Sequence, residues 1–342
     1  MSTAELFQRH AGNPILTAAD WPYPVNAVFN PAATTMNGET VLLARVEDRR
    51  GISHLTVARS ANGLDGWSIE PEPLLAPDDE TASEQWGFED PRIVRVDELD
   101  RWVITCTAYG PAGPAVFLAT TEQFETVERY GIVRQPEDKN AALLPHRIDG
   151  RWLLLHRPKT QYGGARGEIL LSRSDDLVSW STPEQVLQPR AGAWWDSLRI
   201  GIGPPPLRTE HGWLLLYHGV KETVAGETYR VGLACSTSTS RRAFCDVSPH
   251  WILAPVAPTS EPAMSRTSSF PAGSFTIPAA TRSASTTAPP TARSASQPRD
   301  SRIFSRPCSA HRASPQTADP AEKPVRQKLL ASRATRVGGF RP

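Results

Sequence analysis

A pair of carboxylates stands in the stretch WGFEDPRIV, where Glu89 and Asp90 precede a proline and Arg92 follows it. A residue before proline is expected to be extended, and an arginine two positions later can steer or neutralise the acid. Such a pair suits general acid or base chemistry. A turn that carries a local ion pair explains the same residues equally well.

Cations recur where apolar runs end. The run LLLHRPK carries His156, Arg157 and Lys159, and LLLYHGVK carries His218 and Lys221 at matching places. Like charges brought together are destabilising unless an anion joins them. The recurrence therefore favours a bound oxyanion such as phosphate.

Two other charged strand ends are less specific. Arg45 and Glu47 fall on one face at the end of LLARVED, because side chains alternate along a strand. Lys139 stands in PEDKNAALLP, ahead of an apolar strand. A solvated strand end explains the first stretch, and a charged turn explains the second.

Aromatic residues meet an acid in AWWDSLRIGIGPPP, where Trp194 and Trp195 precede Asp196. Proteins hold sugars with an aromatic face against C–H groups and an acid on the hydroxyls, although core packing explains the tryptophans equally well. Together these clusters predict a pocket for a carbohydrate and an anion. An ordinary inverting glycosidase needs two carboxylates about 6.5–9.5 Å apart, whereas an attacking phosphate needs only cations to position it.

Strands must position these residues, because the apolar runs are short, rich in β-branched residues and punctuated by Pro or Gly. The runs ETVLLARVED, RWVITCTAYG, RWLLLHRPK and GWLLLYHGV recur at a spacing of roughly 50 to 60 residues, and each is followed by a second β-prone run. This pattern predicts an all-β fold, a five-bladed β-propeller whose fifth blade is incomplete or lost in the sequence as written. We expect these runs to be its inner strands and NAVFNPAATTM to belong to the ring-closing blade. A β-sandwich is the alternative.

The composition excludes no globular class but gives no reason to expect nucleic-acid or membrane partners. The 342 residues carry a net charge of +1, and no apolar run approaches the roughly 20 residues that span a bilayer. The N-terminus lacks the pattern of a signal peptide, so we expect a cytoplasmic protein. The four cysteines have no metal-ligand spacing, and neither a metal nor another cofactor is predicted. A homo-oligomeric state is left open.

An ordered set of motifs resembles glycoside hydrolase family 130, the β-mannoside phosphorylases and related β-mannosidases, which are five-bladed propellers. The motifs cover about residues 13–234 and are, in order, FNPAA, LLARVED, GFEDPRI, TAYG, EDKNAALLP, LLHRP, SDDLVSW, WWDSLRIGIGPPP, GWLLLYHGV and YRVGLA.

The resemblance implies a role for each candidate residue. Asp90 would be the catalytic acid, protonating the glycosidic oxygen through a hydroxyl of the mannosyl unit while phosphate attacks the opposite face with inversion. The implied phosphate-binding residues are Arg45, Lys139, Arg157 and His218. The implied mannosyl-binding residues are Asn30, Glu89, Arg92 and Asp196.

The implied substrates are a β-mannoside oligosaccharide and inorganic phosphate as co-substrate, and the product is α-mannose 1-phosphate. Two alternatives remain open. Family members that hydrolyse lack part of the cationic set, so the cations favour phosphorolysis over a β-mannosidase. A sugar-binding propeller without activity is the second alternative.

The chain changes character near its end. We divide it into a propeller domain, residues 1–257, and a low-complexity tail, residues 258–342, for which disorder is expected. Stretches starting at Cys235, Met264 and Ser283 permit family-like strand sequences when read one nucleotide out of frame. We interpret the tail as a frame-shifted remnant of the last blade, with a natural disordered tail as the alternative. The chain as written is expected to be poorly folded or inactive, because a missing blade exposes sheet edges.

Overall fold

The computed structural model describes residues 6–7, 9–159, 167–236, 244 and 246–255, which form mainly β-strands and turns. Two single-turn 3-10 helices, Ala18–Asp20 and Asp97–Leu99, are the helical elements of this described part. The strands are β1 (Ala27–Met36), β2 (Glu39–Glu47), β3 (Ser53–Ser60), β4 (Ser68–Ile69), β5 (Phe88–Val96), β6 (Arg101–Gly110), β7 (Gly113–Thr121), β8 (Glu128–Arg134), β9 (Asp138–Leu143), β10 (Trp152–Pro158), β11 (Ile169–Ser174), β12 (Glu184–Leu187), β13 (Arg199–Ile202), β14 (Leu207–Thr209), β15 (Gly212–Thr223), β16 (Gly226–Ser236) and β17 (Asp246–Val247).

The strands form four antiparallel sheets, the blades of a β-propeller arrangement. Blade 1 has the order β1-β2-β3-β4, blade 2 the order β5-β6-β7-β8 and blade 3 the order β9-β10-β11-β12. Blade 4 has the order β13-β15-β16-β17, with β14 paired to β15. The all-β prediction is confirmed, and the described residues provide four blades. Most of the predicted fifth blade and the whole tail at 258–342 lie outside the described residues.

The four repeated runs are the second strands of their blades, β2, β6, β10 and β15, and not the innermost strands that we expected. The innermost strands are β1, β5, β9 and β13, which contact one another in chain order. The segment NAVFNPAATTM contains β1, which pairs with β2 inside blade 1, so its assignment to a ring-closing blade was wrong. Its alternation alone could not reveal which strand it would pair with.

The hydrophobic core lies between successive blades, because each sheet has an apolar face that must pack on its neighbour. Pairs of buried residues that share a cluster across two blades are Leu55 and Phe88, Leu118 and Leu154, and Leu155 and Leu215. A fourth cluster covers blade 1 with Leu16 and Trp21 of the N-terminal segment. This packing holds the innermost strands at the centre, where their polar residues meet. In the described residues no helix has the length and apolar character needed to cross a membrane.

Candidate active site

A β-bulge interrupts the innermost strand of blades 1, 2 and 3 at equivalent places. The first bulged residues are Asn30, Asp90 and Asn140, whose φ angles are +47°, +50° and +53°. A bulge adds a residue that the partner strand does not match, and Asn and Asp tolerate the left-handed region better than most other residues. The three blades therefore place an amide, a carboxylate and an amide at corresponding positions.

The proline after Asp90 had led us to expect an extended backbone at Asp90. The structure instead gives Asp90 a φ of +50°. Glu89 pairs with Thr107 and Arg92 pairs with Thr105, which leaves Asp90 and Pro91 to be accommodated against one residue of β6. The sheet register on both sides overrides the local preference of a residue before proline.

Two residues of blade 1 meet at one oxygen of Asp90, which belongs to blade 2. Asn30 Nδ2 donates a hydrogen bond to Asp90 Oδ1 at 2.8 Å. Arg45 Nη1 lies 3.4 Å from the same oxygen, and the Asp90 side chain is 15% exposed. The predicted catalytic acid is thus largely buried but accessible.

The charge of Asp90 is set by competing effects. Burial by itself would raise the pKa of Asp90, but the positive charges of Lys139, Arg45 and Arg92 and the hydrogen bond from Asn30 outweigh it and hold the pKa below its usual value. Asp90 is therefore ionised at neutral pH in this arrangement, in which Glu89 also lies near Arg45 and Lys139. A general acid must carry a proton, so a second anion among the cations would favour the acid form.

Glu89 links two of the predicted phosphate-binding residues. Arg45 Nη2 donates to Glu89 Oε1 at 2.9 Å, and Lys139 Nζ lies 3.8 Å from Glu89 Oε2. Arg45 Nε also donates to Ser53 Oγ at 2.9 Å, and this hydrogen bond fixes the orientation of the guanidinium. Burial lowers the pKa of Lys139, although Asp90 and Glu89 oppose that shift.

Arg157 is the most buried of the predicted cations, with 7% of its surface exposed. Its Nη2 donates to Asn140 Oδ1 at 2.8 Å, while its buried Nε has no hydrogen-bond partner among the described residues. Burial lowers the pKa of Arg157 to about 10, so it remains charged at neutral pH. An unpaired buried N–H beside a positive charge suits an incoming anion.

His218 lies beside this arginine. A Cβ on Gly201 would approach His218 Cε1 to 2.4 Å and Arg157 Nε to 3.4 Å, so the glycine makes room for both side chains. Burial, followed by the charges of Arg157 and Arg92, lowers the pKa of His218 to about 3. The imidazole is therefore neutral at pH 7 and offers one N–H and one acceptor nitrogen.

Arg92 spans the centre of the propeller. Its Nη1 donates to the carbonyl oxygens of Asp90 and Pro91 at 3.1 and 2.9 Å. Its Nε donates to Gly203 O and its Nη2 donates to Ile202 O in blade 4. Most of its N–H groups therefore donate hydrogen bonds to backbone carbonyl oxygens, whereas the resemblance implied a contact with the mannosyl unit.

Asp196 has no contact with the Asp90 cluster among the described residues. It is 1% exposed, it accepts hydrogen bonds from Arg190 Nε at 2.8 Å and Tyr217 OH at 2.8 Å, and it forms an ion pair with Arg190. Trp195 stacks on Tyr217 with 5.5 Å between ring centroids and belongs to the core. The other predicted residues all interact with Asp90 or share a partner with it.

His156 is a structural residue. Its Nδ1 lies 2.6 Å from Asp138 Oδ2, its Nε2 lies 2.9 Å from Ser172 Oγ, and its side chain is fully buried. No group of three or more potential metal ligands occurs in the part of the chain that the structure describes.

The sequence that carries this site matches a known family. A family model described as beta-1,4-mannooligosaccharide phosphorylase matches residues 7–261. The chain belongs to glycoside hydrolase family 130. Its bulged acid, Asp90, is the aspartate of the E-D-P-R motif on which the resemblance to family 130 rested.

Curated members of family 130 are similar over much of the chain. A beta-1,4-mannooligosaccharide phosphorylase from Ruminococcus albus is 32% identical over 232 residues, 66% of this chain and 68% of that protein. A 1,2-beta-oligomannan phosphorylase from Thermoanaerobacter sp. is 34% identical over 216 residues, 60% of this chain and 68% of that protein.

Solved structures of family 130 share the fold. The beta-1,2-mannobiose phosphorylase of Listeria innocua, in complex with beta-1,2-mannobiose, matches with a TM-score of 0.65 and 27% identity over 73% of this chain and 84% of its own. A second structure, described with family members that hydrolyse beta-1,2 mannosidic linkages in Candida mannan, matches with a TM-score of 0.64 and 25% identity over 74% of this chain and 82% of its own. Family 130 therefore contains phosphorylases and hydrolases.

Sequence reasoning assigned no role to two supporting residues of this family 130 site. Ser53 holds Arg45 and Asn140 holds Arg157. The repeat could have identified Asn140, because it occupies the bulge position of Asn30 and Asp90 one blade further along. Ser53 carries no such signal, since its contact depends on the pairing of β2 with β3.

Proposed function

We propose that this protein is an inverting glycoside phosphorylase that cleaves β-mannosidic bonds of manno-oligosaccharides with inorganic phosphate and releases α-mannose 1-phosphate. The observation that carries the proposal is the group of cations around one buried acid. Arg45, Lys139 and Arg157 all act electrostatically on the cluster of Asp90. The phosphorylase relatives act on β-1,4 and β-1,2 linkages, so both linkages are candidate substrates.

The geometry supports separate roles for the cations, which would position phosphate, and for Asp90, which would donate a proton. Phosphate brings its own negative charge, so its attack on the anomeric carbon requires positioning and no general base. Arg45 and Lys139 would give up their ion pairs with Glu89 and bind the phosphate instead. Arg157 would donate a hydrogen bond to the phosphate from its unpaired Nε–H. Asp90 would supply the proton to the leaving oxygen, through a hydroxyl of the mannosyl unit.

The deciding experiment compares turnover of β-1,4- and β-1,2-manno-oligosaccharides with and without phosphate. A phosphorylase gives mannose 1-phosphate and no turnover until phosphate is added. Equal rates in both conditions, with free mannose as the product, would identify the hydrolase alternative. In Asp90→Asn the rate should fall by roughly 10²–10⁴-fold, because the general acid is lost. Asparagine is the matched replacement, since it tolerates a φ of +50°.

We also propose that the complete propeller has five blades. Leu214 and Leu216 of β15 lie on a face of blade 4 that is only half-buried, whereas Trp213 and Leu215 on the opposite face are buried in the core. A fifth blade packed on the first face would cover it. Resequencing of the gene around codons 234, 248 and 258 tests the frame-shift interpretation, and a clean read in the present frame would contradict a sequencing error.

A further inference from the structure

The rim of the propeller beside Asp90 carries a different pair of side chains on each blade. The second strands of blades 1 and 2 contribute Glu47 and Tyr109, and Lys159 directly follows the second strand of blade 3. These residues stand two positions after Arg45, Thr107 and Arg157, which occupy equivalent places. On blade 1, Asn26 Nδ2 donates to Glu47 Oε1 at 2.7 Å. On blade 3, Lys159 Nζ donates to Glu137 Oε1 at 2.9 Å.

Blade 2 alone among these three presents an aromatic pair at the rim. Trp86 and Tyr109 meet edge to face with ring centroids 5.0 Å apart. Their backbones are joined, since Trp86 N donates to Tyr109 O at 2.9 Å. Trp86 is nevertheless 44% exposed, so its ring is accessible to a ligand.

The pair stands on a rigid base. Gly87 has a φ of +99°, and a Cβ there would lie 2.2 Å from Ser53 O, so its backbone is pressed against blade 1. Ser53 is the residue that holds Arg45. A Cβ on Gly110 would lie 2.1 Å from Ala82 O, which shows equally close packing behind Tyr109. The aromatic pair is therefore fixed relative to the Asp90 cluster before any ligand arrives.

Other exposed tryptophans are already covered. The guanidinium of Arg190 lies 4.2 Å from the Trp194 ring, and that of Arg230 lies 4.3 Å from the Trp251 ring. In the described part of the chain, Trp86 has no such cation over its face and contacts Tyr109 edge to face. A sugar ring can place its C–H surface on an uncovered aromatic face, where the negative quadrupole attracts it.

The proposed reaction decides which part of a substrate would reach this pair. Trp86 lies in the turn that leads into β5, four residues ahead of Asp90. The proposed reaction releases mannose 1-phosphate, so a single mannosyl unit lies on the phosphate side of the scissile bond. Every other ring of the substrate belongs to the departing saccharide, including any ring that reaches Trp86.

We propose that Trp86 and Tyr109 form a stacking subsite for the saccharide on the leaving side of the scissile bond. This inference rests on the proposed function for the direction of the substrate. It makes the pair a determinant of the length and type of saccharide that the enzyme accepts.

Binding measurements test the subsite without requiring turnover. In the full chain carrying Asp90→Asn, calorimetry with β-manno-oligosaccharides of increasing length compares Trp86→Ala, Trp86→Phe and Trp251→Ala. Trp251 is the matched control, because its exposure of 46% is close to that of Trp86. Trp86→Ala should weaken binding of the trisaccharide about three- to tenfold, with Trp86→Phe retaining part of the affinity and Trp251→Ala retaining all of it. Binding of inorganic phosphate should be the same in all variants.

Unchanged affinity for the trisaccharide in Trp86→Ala would overturn the subsite, and so would an equal loss for phosphate, which would indicate general damage to the site. The subsite would also be overturned if the chain carrying only Asp90→Asn bound no β-manno-oligosaccharide. The proposed function fails separately, through phosphate-independent turnover by the unmodified chain. In an active chain, β-mannosyl fluoride provides a further control. Its leaving group cannot reach Trp86, so Trp86→Ala should leave its kcat/KM unchanged.

Discussion

The guanidinium of Arg45 and the carboxylate of Asp90 come from neighbouring blades and meet with 3.4 Å between Nη1 and Oδ1. The contact holds the proposed acid in its ionised form, together with Lys139 and Arg92. A phosphate dianion that binds Arg45 and Lys139 would offset their charges at Asp90. The pKa of Asp90 would then rise, and the acid would take up a proton when its co-substrate is present.

Phosphate binding near neutral pH should therefore be accompanied by proton uptake. Calorimetric titrations in two buffers with different ionisation enthalpies measure the number of protons, after correction for the ionisation of phosphate itself. Arg45→Gln should reduce both the phosphate affinity and the uptake, while Arg59→Gln, a substitution in β3, should change neither. Binding with no net uptake of protons would refute the coupling.

Asn140→Asp should weaken phosphate binding. Aspartate tolerates the φ of +53° at this position and would form an ion pair with Arg157 in place of the present hydrogen bond. That carboxylate would compete with phosphate for the cation, so we expect KM for phosphate to rise by about tenfold or more and kcat to change less. Asn37→Asp has the same φ of +53° at an exposed turn and is the matched control. An equal KM in both variants would show that Arg157 does not bind phosphate.

His218 should make the protein less stable as the pH falls. Its pKa is lowered to about 3 in the folded protein, whereas that of an unfolded histidine is about 6.5. Between these values the unfolded state binds more protons, so the free energy of unfolding decreases as pH drops from about 6.5 toward about 3. In His218→Gln this contribution disappears. Denaturant titrations at several pH values measure the slope, with exposed His211→Gln as control; the same slope in His218→Gln and the unmodified chain would rule out the assignment.

Arg92→Lys should lower stability and kcat together. A lysine cannot reproduce the contacts that one guanidinium makes with Asp90 O, Pro91 O and Gly203 O. Loss of hydrogen bonds to a charged group costs about 1.5–3 kcal/mol in unfolding free energy. Urea unfolding and steady-state kinetics measure the two effects. If stability stays unchanged while KM for the saccharide rises, Arg92 contacts the mannosyl unit, as the resemblance implied.

Much of the fold followed from short-range pattern. Alternating β-prone runs, repeated four times, predicted sheets, and the structure places those runs in β2, β6, β10 and β15. The carboxylate pair and the cations at strand ends predicted a charged pocket, and the structure brings Arg45, Lys139 and Arg157 near Asp90. Both signals are local, because strand propensity and turn residues act over a few positions.

The sequence by itself determined the residue types at the centre of the propeller and the number of repeated strands before residue 236. Only the tertiary structure decided which strand lines the centre and that Asp90 occupies a bulge. It also decided that Arg92 donates hydrogen bonds to backbone carbonyl groups and that Asp196 pairs with Arg190 and Tyr217. These outcomes depend on pairing between segments far apart in the chain. Sheet register and blade contacts set them, and neither is encoded in the spacing of residues along one strand.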